Sequence, residues 1–306
     1  MAFEKRDFSV PSSDREHSLS GVVFLPEGKI KGYFQVVHGM TEYIGRYEKL
    51  MCDMANEGYL CFGYDHLGHG KTVNDESELG FIAPKDGWRL LVEDVNVFSS
   101  AVFAAFGRTD EPYILMGHSM GSFIVRLASV MSVKPDRLVV MGTGGGNPAA
   151  GAGLALIAAV KAVKGKKHVS GLVYALAFGD SNKRFADEND ERSWLTTDKT
   201  VREKYKDDKL CSFKFTVSAM GDLIRLLKYS NSKKWYNNVS KELPILLISG
   251  EDDPVGNFGK GVKEVYNKLF NVGADVKLVL YKGARHEILN DFTYENTKAA
   301  ILEFVR

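Results

Sequence analysis

The sequence predicts an α/β fold: a mostly parallel central sheet with helices on both faces and an inserted helical cap. Three observations predict it. Short apolar runs alternate with helical patterns along most of the chain. A serine framed by glycines, in Gly117-His118-Ser119-Met120-Gly121, stands between one such run and one such pattern. The alternation lapses once, for roughly 100 residues against the dozen or so that a simple crossover needs, and then resumes. At 306 residues, 44% hydrophobic and 26% charged, the chain is a soluble globular protein able to bury a large core.

The elements follow in order. Phe3 to Val10 and Ser18 to Leu25 read as strands separated by the turn-forming Pro11-Ser12-Ser13-Asp14. A third run, Gly32 to Val37, leads into His38-Gly39. Tyr47 to Glu57 reads as a helix, and Tyr59 to Tyr64 as a buried strand ended by Asp65-His66-Leu67-Gly68-His69-Gly70. Trp88 to Phe106 is a long amphipathic helix. The strand Tyr113 to Met116, the glycine-framed serine and a helix from Ser122 to Ala128 come next, and Pro135-Asp136 precedes a strand from Leu138 to Met141. A short antiparallel start followed by βαβα alternation implies a sheet covered on both faces.

The next core strand, Ile245 to Ser249, lies far downstream, preceded by Pro244. The intervening segment opens on Gly144-Gly145-Gly146-Asn147-Pro148, a hinge composition. It continues with an alanine-rich helix, Leu154 to Val163, and polar, aromatic-bearing stretches through Trp235. The expected division is therefore 1–143 and 236–306 for the core and 144–235 for the cap. A helix from Gly261 to Phe270, a strand from Val276 to Tyr281 and a terminal helix from Tyr294 to Phe304 complete the alternation. Gly142 to Gly146 lacks the Lys-Ser/Thr of a P-loop and the spacing of a dinucleotide fingerprint, so it is read as a hinge.

Several classes of partner are excluded. A net charge of +1 supplies no field for nucleic acid. Cys52, Cys61 and Cys211 are too few and too scattered for a disulfide framework or a metal site, and point to a reducing, cytoplasmic setting. The opening, Met1 to Asp7, is charged and without an apolar core, so no secretory signal is expected. No run of about 18 apolar residues argues for a membrane span. Leu154 to Val160 is apolar, but Lys161, Lys164, Lys166 and Lys167 crowd its far end. A cap helix over a pocket is the favoured reading, with room for transient contact between the cap and a membrane surface.

The pentapeptide around Ser119 has the order of a nucleophile elbow: strand, sharp turn, helix. Side chains in place of Gly117 or Gly121 would crowd that turn. A serine hydroxyl needs a base, and the chain has seven histidines. His286 is favoured because it follows the Val276 strand, and functional groups of open sheets gather beyond the strands' carboxyl ends. His38 and His118 are read as loop-shaping. His66 and His69 have H-x-x-H spacing beside Asp65, but a hydrogen-bonded loop is favoured over a metal site. His17 and His168 have no supporting context. The imidazole needs a carboxylate, and Gly250-Glu251-Asp252-Asp253-Pro254 follows the Ile245 strand. Asp253 is preferred because it lies far enough past Gly250 to turn back across the sheet edge, and Pro254 also biases it towards an extended conformation, with Asp252 as the fallback. The oxyanion requires donors. The N–H of Met120 at the helix start and that of Met40 in the loop after the third strand are best placed, with Glu42 and Tyr43 bracing that loop.

The Ser119…Asp253…His286 order, with His38-Gly39-Met40-Thr41-Glu42-Tyr43, Arg46-Tyr47, Asp65 to Gly70 and the elbow, resembles the monoacylglycerol lipase and lysophospholipase branch of the α/β-hydrolases. That branch includes serine-aminopeptidase-like relatives. The resemblance runs from the Tyr33 strand to the last helix and is weakest in the cap. Leu67 stands where arginine is common, in a loop that is structural in relatives. The resemblance implies Ser119, Asp253 and His286 as triad and Met40 and Met120 as oxyanion hole. It also implies a small single-chain acyl ester, such as a monoacylglycerol or lysophospholipid, as substrate. No metal or organic cofactor is needed.

Two rivals stand beside this reading. A peptidase acting on N-terminal residues would need acids for the substrate amine, and Asp187, Glu188, Asp190 and Glu191 of the cap are available. A non-catalytic receptor on the same fold would have no use for a complete triad. A dehalogenase would need a carboxylate where Ser119 stands. The cap is expected to set substrate choice, with Leu154, Ile157, Leu172, Leu176 and Phe178 lining either an acyl tunnel or the cap's own core.

Overall fold

The computed structural model describes residues 3–306, so Met1 and Ala2 of the charged opening lie outside it. Two antiparallel strands, β1 (Phe3–Pro11) and β2 (Ser18–Pro26), start the chain, followed by β3 (Gly32–Val37), helix α1 (Glu48–Asn56) and β4 (Tyr59–Tyr64). Then come α2 (Gly87–Phe106), β5 (Tyr113–His118), α3 (Met120–Met131) and β6 (Arg137–Met141). After a long segment the chain returns with β7 (Ile245–Gly250), α9 (Lys260–Asn271), β8 (Val276–Tyr281) and α10 (Tyr294–Val305). The intervening segment holds α4 (Ala150–Lys164), α5 (Gly171–Phe178), α6 (Lys199–Asp207), α7 (Val217–Ser230) and α8 (Lys233–Asn238).

The eight strands form one sheet in the order β1-β2-β4-β3-β5-β6-β7-β8. β2 pairs antiparallel with β1 and β4, and every pairing from β4 to β8 is parallel. Every residue of β3, β4, β5 and β7 is buried, as strands covered on both faces require. One face packs Phe34, Val36 and Met116 against Leu50 and Met54 of α1 and Ile301 and Phe304 of α10. The other packs Leu115, Val140 and Leu247 against Leu91, Val95 and Phe98 of α2, Ile124 of α3 and Val265 of α9.

The segment between β6 and β7 shares that second core. α7 packs on α4, α2 and α3, and its Leu226 is fully buried in the same cluster as Ile124. Trp235 and Tyr236 of α8 are buried, and the Trp235 indole donates to the Arg126 carbonyl of α3. α8 therefore runs across residue 235, where the sequence reading placed a boundary. Arg126 is completely buried and donates to Thr143 and Gly144 at one end of the segment and to Ser230 and Asn231 at the other. Its guanidinium also lies over the Trp235 ring, 4.4 Å from the centroid.

The turn from β5 into α3 brings backbone against backbone. A Cβ on Gly121 would stand 2.1 Å from the Val37 carbonyl oxygen, and one on Gly117 2.2 Å from that of Gly121. Gly151, on the open side of α4, has nothing within 4 Å. Gly121→Ala should cost about 3 kcal/mol or more of unfolding free energy. Gly151→Ala should gain about 0.5 kcal/mol through helix propensity. Denaturant midpoints of the two variants check both signs.

Candidate active site

Ser119 sits between β5 and α3 with φ 54° and ψ −120°, a backbone conformation that a non-glycine residue adopts only under constraint. The constraint is visible on both sides. The Ser119 N–H donates to the Met141 carbonyl at 3.0 Å, and its own carbonyl accepts from Ser122 N at 2.9 Å and Ser122 Oγ at 2.5 Å. The side chain is half-buried at the carboxyl edge of the sheet. Met120 opens α3, so its N–H is one of those at the helix start without an intrahelical acceptor.

His286 is buried after β8, and its Nδ1 lies 2.9 Å from Asp253 Oδ2. Asp253 is fully buried; it accepts from Ser249 Oγ at 3.3 Å and Val255 N at 2.8 Å. Asp253 is thus the acid that meets the imidazole, while Asp252 is only part-buried and uses its N–H on the Ala284 carbonyl. The His286 ring lies against His118, the residue before Ser119, with centroids 4.8 Å apart. Trp194 covers His286 from the segment between β6 and β7, at 5.2 Å, and its carbonyl accepts the His286 N–H at 3.4 Å. The next carbonyl, Leu195, accepts the Glu287 N–H at 2.7 Å.

The loop after β3 reaches the same place. A Cβ on Gly39 would lie 3.0 Å from Ser119 Cβ, so only glycine lets the loop approach the serine this closely. The peptide groups flanking Met40 are fixed: Gly39 N–H donates to Glu42 Oε1 at 2.5 Å and Thr41 N–H to His69 Nε2 at 3.3 Å. Thr41 itself has φ 52°. Tyr205 of α6 holds Thr41 from outside, with its hydroxyl 2.8 Å from the carbonyl and 2.7 Å from Oγ1.

Three imidazoles brace this loop from below. His66 N–H donates to His38 Nε2 at 3.0 Å, His38 Nδ1 bonds the Gly39 carbonyl at 2.8 Å, and His69 Nδ1 bonds the Leu67 carbonyl at 3.0 Å. Burial pushes all three down, His69 to about 3. Neutral rings suit the arrangement, because His38 and His69 each accept a backbone N–H. His66 and His69 therefore serve as backbone braces. Leu67, where arginine is common, is buried in the main core cluster.

A buried charge cluster joins the three loops. Glu42 accepts from Gly39 N–H, from Tyr47 OH at 2.8 Å and from Arg46 Nη1 at 3.0 Å, and lies 3.2 Å from His118 Nδ1. Arg46 also makes a two-pronged pair with Glu287, 2.7 Å on each prong. Both His118 nitrogens face acceptors: Nδ1 the Tyr47 oxygen at 2.7 Å and Glu42, Nε2 the His286 carbonyl at 3.3 Å. Burial alone would lower His118, but Glu42 raises it above the usual imidazole value. Burial would likewise raise Glu42, yet His118 and Arg46 hold it well below the carboxylate range.

Of the residues expected from sequence, Ser119, Asp253, His286, Met40 and Met120 come together at one sheet edge. Glu42 braces the loop after β3, as expected, through the Gly39 N–H. Arg46, Tyr47, Glu287, Trp194 and Tyr205 were not singled out for roles here. Arg46-Tyr47 enters only as part of the family resemblance, and nothing local to Glu287, Trp194 or Tyr205 points to them. Of the four acids Asp187, Glu188, Asp190 and Glu191, two are held in ion pairs and Asp187 and Glu191 are exposed. Glu188 pairs with Arg285 and, at 2.5 Å, with Arg202, and Asp190 lies 3.1 Å from Arg202 Nε. Arg285 above all holds Glu188 down at about 2.

The apolar residues expected to line a tunnel or the cap's own core divide. Ile157 is buried, and Phe178 packs on Tyr174. Leu172 and Leu176 are 57% and 68% exposed, so they line neither. α5 is Gly-Leu-Val-Tyr-Ala-Leu-Ala-Phe, apolar all round, and such a pattern carries no signal of which side faces inward.

Comparison with known proteins agrees with this geometry. The family model described as serine aminopeptidase, S33, matches residues 28–293. The chain is 26% identical to a monoacylglycerol lipase of Mycolicibacterium smegmatis over 296 residues, covering 92% of this chain and 93% of that one. It is 32% identical to the human monoglyceride lipase over 133 residues, 40% of each. It spans only 28% of the length of an abhydrolase domain-containing protein of Dictyostelium discoideum, at 23% identity. A thermostable carboxyl esterase from Bacillus coagulans, solved with glycerol, superposes with a TM-score of 0.91 and 28% identity, over 100% of this chain and 98% of that one. With the sheet order, the elbow and the family match in agreement, the chain belongs to the serine aminopeptidase (S33) family of α/β-hydrolases.

Proposed function

We propose that this protein is a serine hydrolase that cleaves carboxylic esters of single-chain acyl lipids, monoacylglycerols or lysophospholipids, through an acyl-enzyme on Ser119. The carrying observation is the buried His286–Asp253 pair, 2.9 Å apart, with its imidazole packed on His118, the residue before a serine in a strained elbow. Ester-cleaving relatives of nearly full-length match support the same reaction class. In this reading His286 accepts the Ser119 proton as Oγ attacks the carbonyl carbon, and Asp253 stabilises the resulting imidazolium. The Met40 and Met120 N–H groups receive the oxyanion. Collapse of the tetrahedral intermediate breaks the ester C–O bond, and His286 returns the proton to the departing alcohol. Water, deprotonated by His286, then attacks the acyl-enzyme and releases the carboxylic acid. The chemistry asks for no metal or organic cofactor. The ion pairs of Glu188 and Asp190 withdraw those two acids from the aminopeptidase alternative, which would have to use the exposed Asp187 or Glu191 for a substrate amine.

The residues 144–235 are read as a cap that sets substrate choice, although Trp194 and Leu195 also hold the His286 loop. Its outer surface is suited to transient contact with a membrane. Val163, Leu172 and Leu176 are exposed beside Lys164, Lys166 and Lys167. Among the described residues, no helix is long and apolar enough to cross a membrane.

A fluorophosphonate should label Ser119 stoichiometrically and abolish cleavage of monoacylglycerols in parallel; mass spectrometry showing activity lost with Ser119 free would reject the reading. Asp253→Asn should lower kcat by about 10⁴-fold by leaving the wrong imidazole tautomer, and Asp252→Asn should cost little. Glu42→Gln should lower kcat by about 10²-fold with KM little changed, because the oxyanion loop loses its anchor to His118. Steady-state kinetics on folded variants decide each case. Leu172→Asp with Leu176→Asp should slow hydrolysis of vesicle-borne substrate and leave that of a soluble short-chain ester unchanged. Equal rates on vesicles before and after substitution would dismiss the membrane contact.

A further inference from the structure

Away from Ser119, α4 and α7 enclose a cavity of about 330 Å³, at the lower end of the range for small-molecule sites. None of its lining residues belongs to the elbow, the oxyanion loop or the His286 loop. The wall from α4 is a single helical stripe, Leu154, Ile157, Ala158, Lys161 and Ala162, at spacings i, i+3, i+4, i+7 and i+8. The facing wall comes from Val217, Ser218 and Arg225 of α7.

Small residues keep the groove open. Ala158 and Ala162 leave the α4 side shallow. A Cβ on Gly221 would lie 3.1 Å from Arg225 Nη1 and 3.3 Å from Ile157 Cγ2, so the absent side chain preserves space between them. The charges are unevenly matched. Lys161 interrupts the apolar stripe, and its ammonium donates to two neutral acceptors, the Pro84 carbonyl at 3.1 Å and Ser218 Oγ at 3.3 Å. Arg225 reaches Asp222 Oδ1 only at 3.5 Å. Asp222 is turned towards the start of α2, where a Cβ on Gly87 would meet its Oδ2 at 2.6 Å. Burial pushes Asp222 up to about 6, with Asp86 adding to the rise. Two cations thus flank an apolar floor, and Asp222 Oδ2 is directed towards α2 rather than into the groove.

We propose that this groove is a second binding site, for a single-chain amphiphile with an anionic end. The carboxylate or phosphate lies between Lys161 and Arg225, and the chain lies along Leu154, Ile157 and Val217. The site stands on the groove's own shape and charge and does not rest on the ester-cleaving reading, although that reaction would release such a molecule as a fatty acid. Each methylene buried on the floor tightens binding about four-fold, so a medium-length chain suffices for measurable affinity.

The test uses the full chain. Dodecanoate, dodecyl phosphate, 1-dodecanol and dodecyltrimethylammonium are titrated calorimetrically below their micelle concentrations. A dodecanoate carrying a mid-chain diazirine is photolysed in parallel and its adducts are mapped by mass spectrometry. Saturable adducts are expected on 154–162 and 217–225, with the anions binding about ten-fold or more tightly than the alcohol, as charge-assisted hydrogen bonds predict. Tighter binding of dodecanoate would identify a fatty acid as the natural class, and of dodecyl phosphate a phospholipid headgroup. The Lys161→Gln, Arg225→Gln double variant should lose that preference. Ala158→Trp, from an exposed position, should fill the groove and abolish the adducts with the thermal midpoint unchanged. Adducts confined to the surroundings of Ser119, equal binding of 1-dodecanol, or full binding by both folded variants would overturn the site.

Discussion

The buried carboxylate of Glu42 is the constraint on which the site's geometry depends. A charge taken out of water is costly unless donors surround it. Glu42 meets that demand with Gly39 N–H, Tyr47 OH, Arg46 and His118. Those donors come from the loop after β3 and from the end of β5, and through Arg46–Glu287 and His118–His286 they reach the loop after β8. A buried ion cluster of this kind contributes little net stability compared with apolar packing of equal volume. Its directional bonds instead hold the loops that carry Met40, Ser119 and His286, three separate segments, in one arrangement.

The second constraint is steric. α3 and β5 approach so closely at Gly117 and Gly121 that the turn between them can only be sharp, and Ser119 is left with a positive φ. The strain is local, but the packing that sustains it is extensive. The residue pairs of β3, β5 and β6 are buried on both faces, and α3 is buried along nearly its whole length. Function at the sheet edge therefore rests on an unyielding core beneath it.

Much of this was legible in the sequence because each signal was local. The elbow is five consecutive residues with the right flanks. The preference for Asp253 over Asp252 came from Pro254, which restricts the residue before it. The alternation of apolar runs with helical patterns marked the sheet and its lapse marked the inserted segment. What stayed hidden depends on contacts across the chain. Nothing near Trp194 in sequence announces that it covers His286, nor does anything near Tyr205 announce Thr41. The exposed side of α5 was equally unreadable, since a helix apolar on every side has no preferred face until its neighbours are known.

The contacts of residues 144–235 divide that segment into two parts with different attachments. α7 and α8 are anchored in the core by Leu226, Trp235 and the buried Arg126, which binds the segment's entry at Gly144 and its exit at Ser230 together. The stretch from Glu188 to Tyr205 is tied instead to the active-site loops, through Arg285, Trp194 and Thr41. α5 meets the main core through Val173, Tyr174 and Phe178 and through the Tyr174 hydroxyl, and it carries the exposed Leu172 and Leu176. Mobility follows from this distribution, because a segment opens most easily where buried contacts are fewest. α5 has a single buried residue, Val173, whereas the end of α4 is kept on α7 by the His168 and Lys166 carbonyls, which accept the Val217 and Ser218 N–H groups. The looser packing of α5 leaves untouched the carbonyls of Trp194 and Leu195 that hold the His286 loop in place.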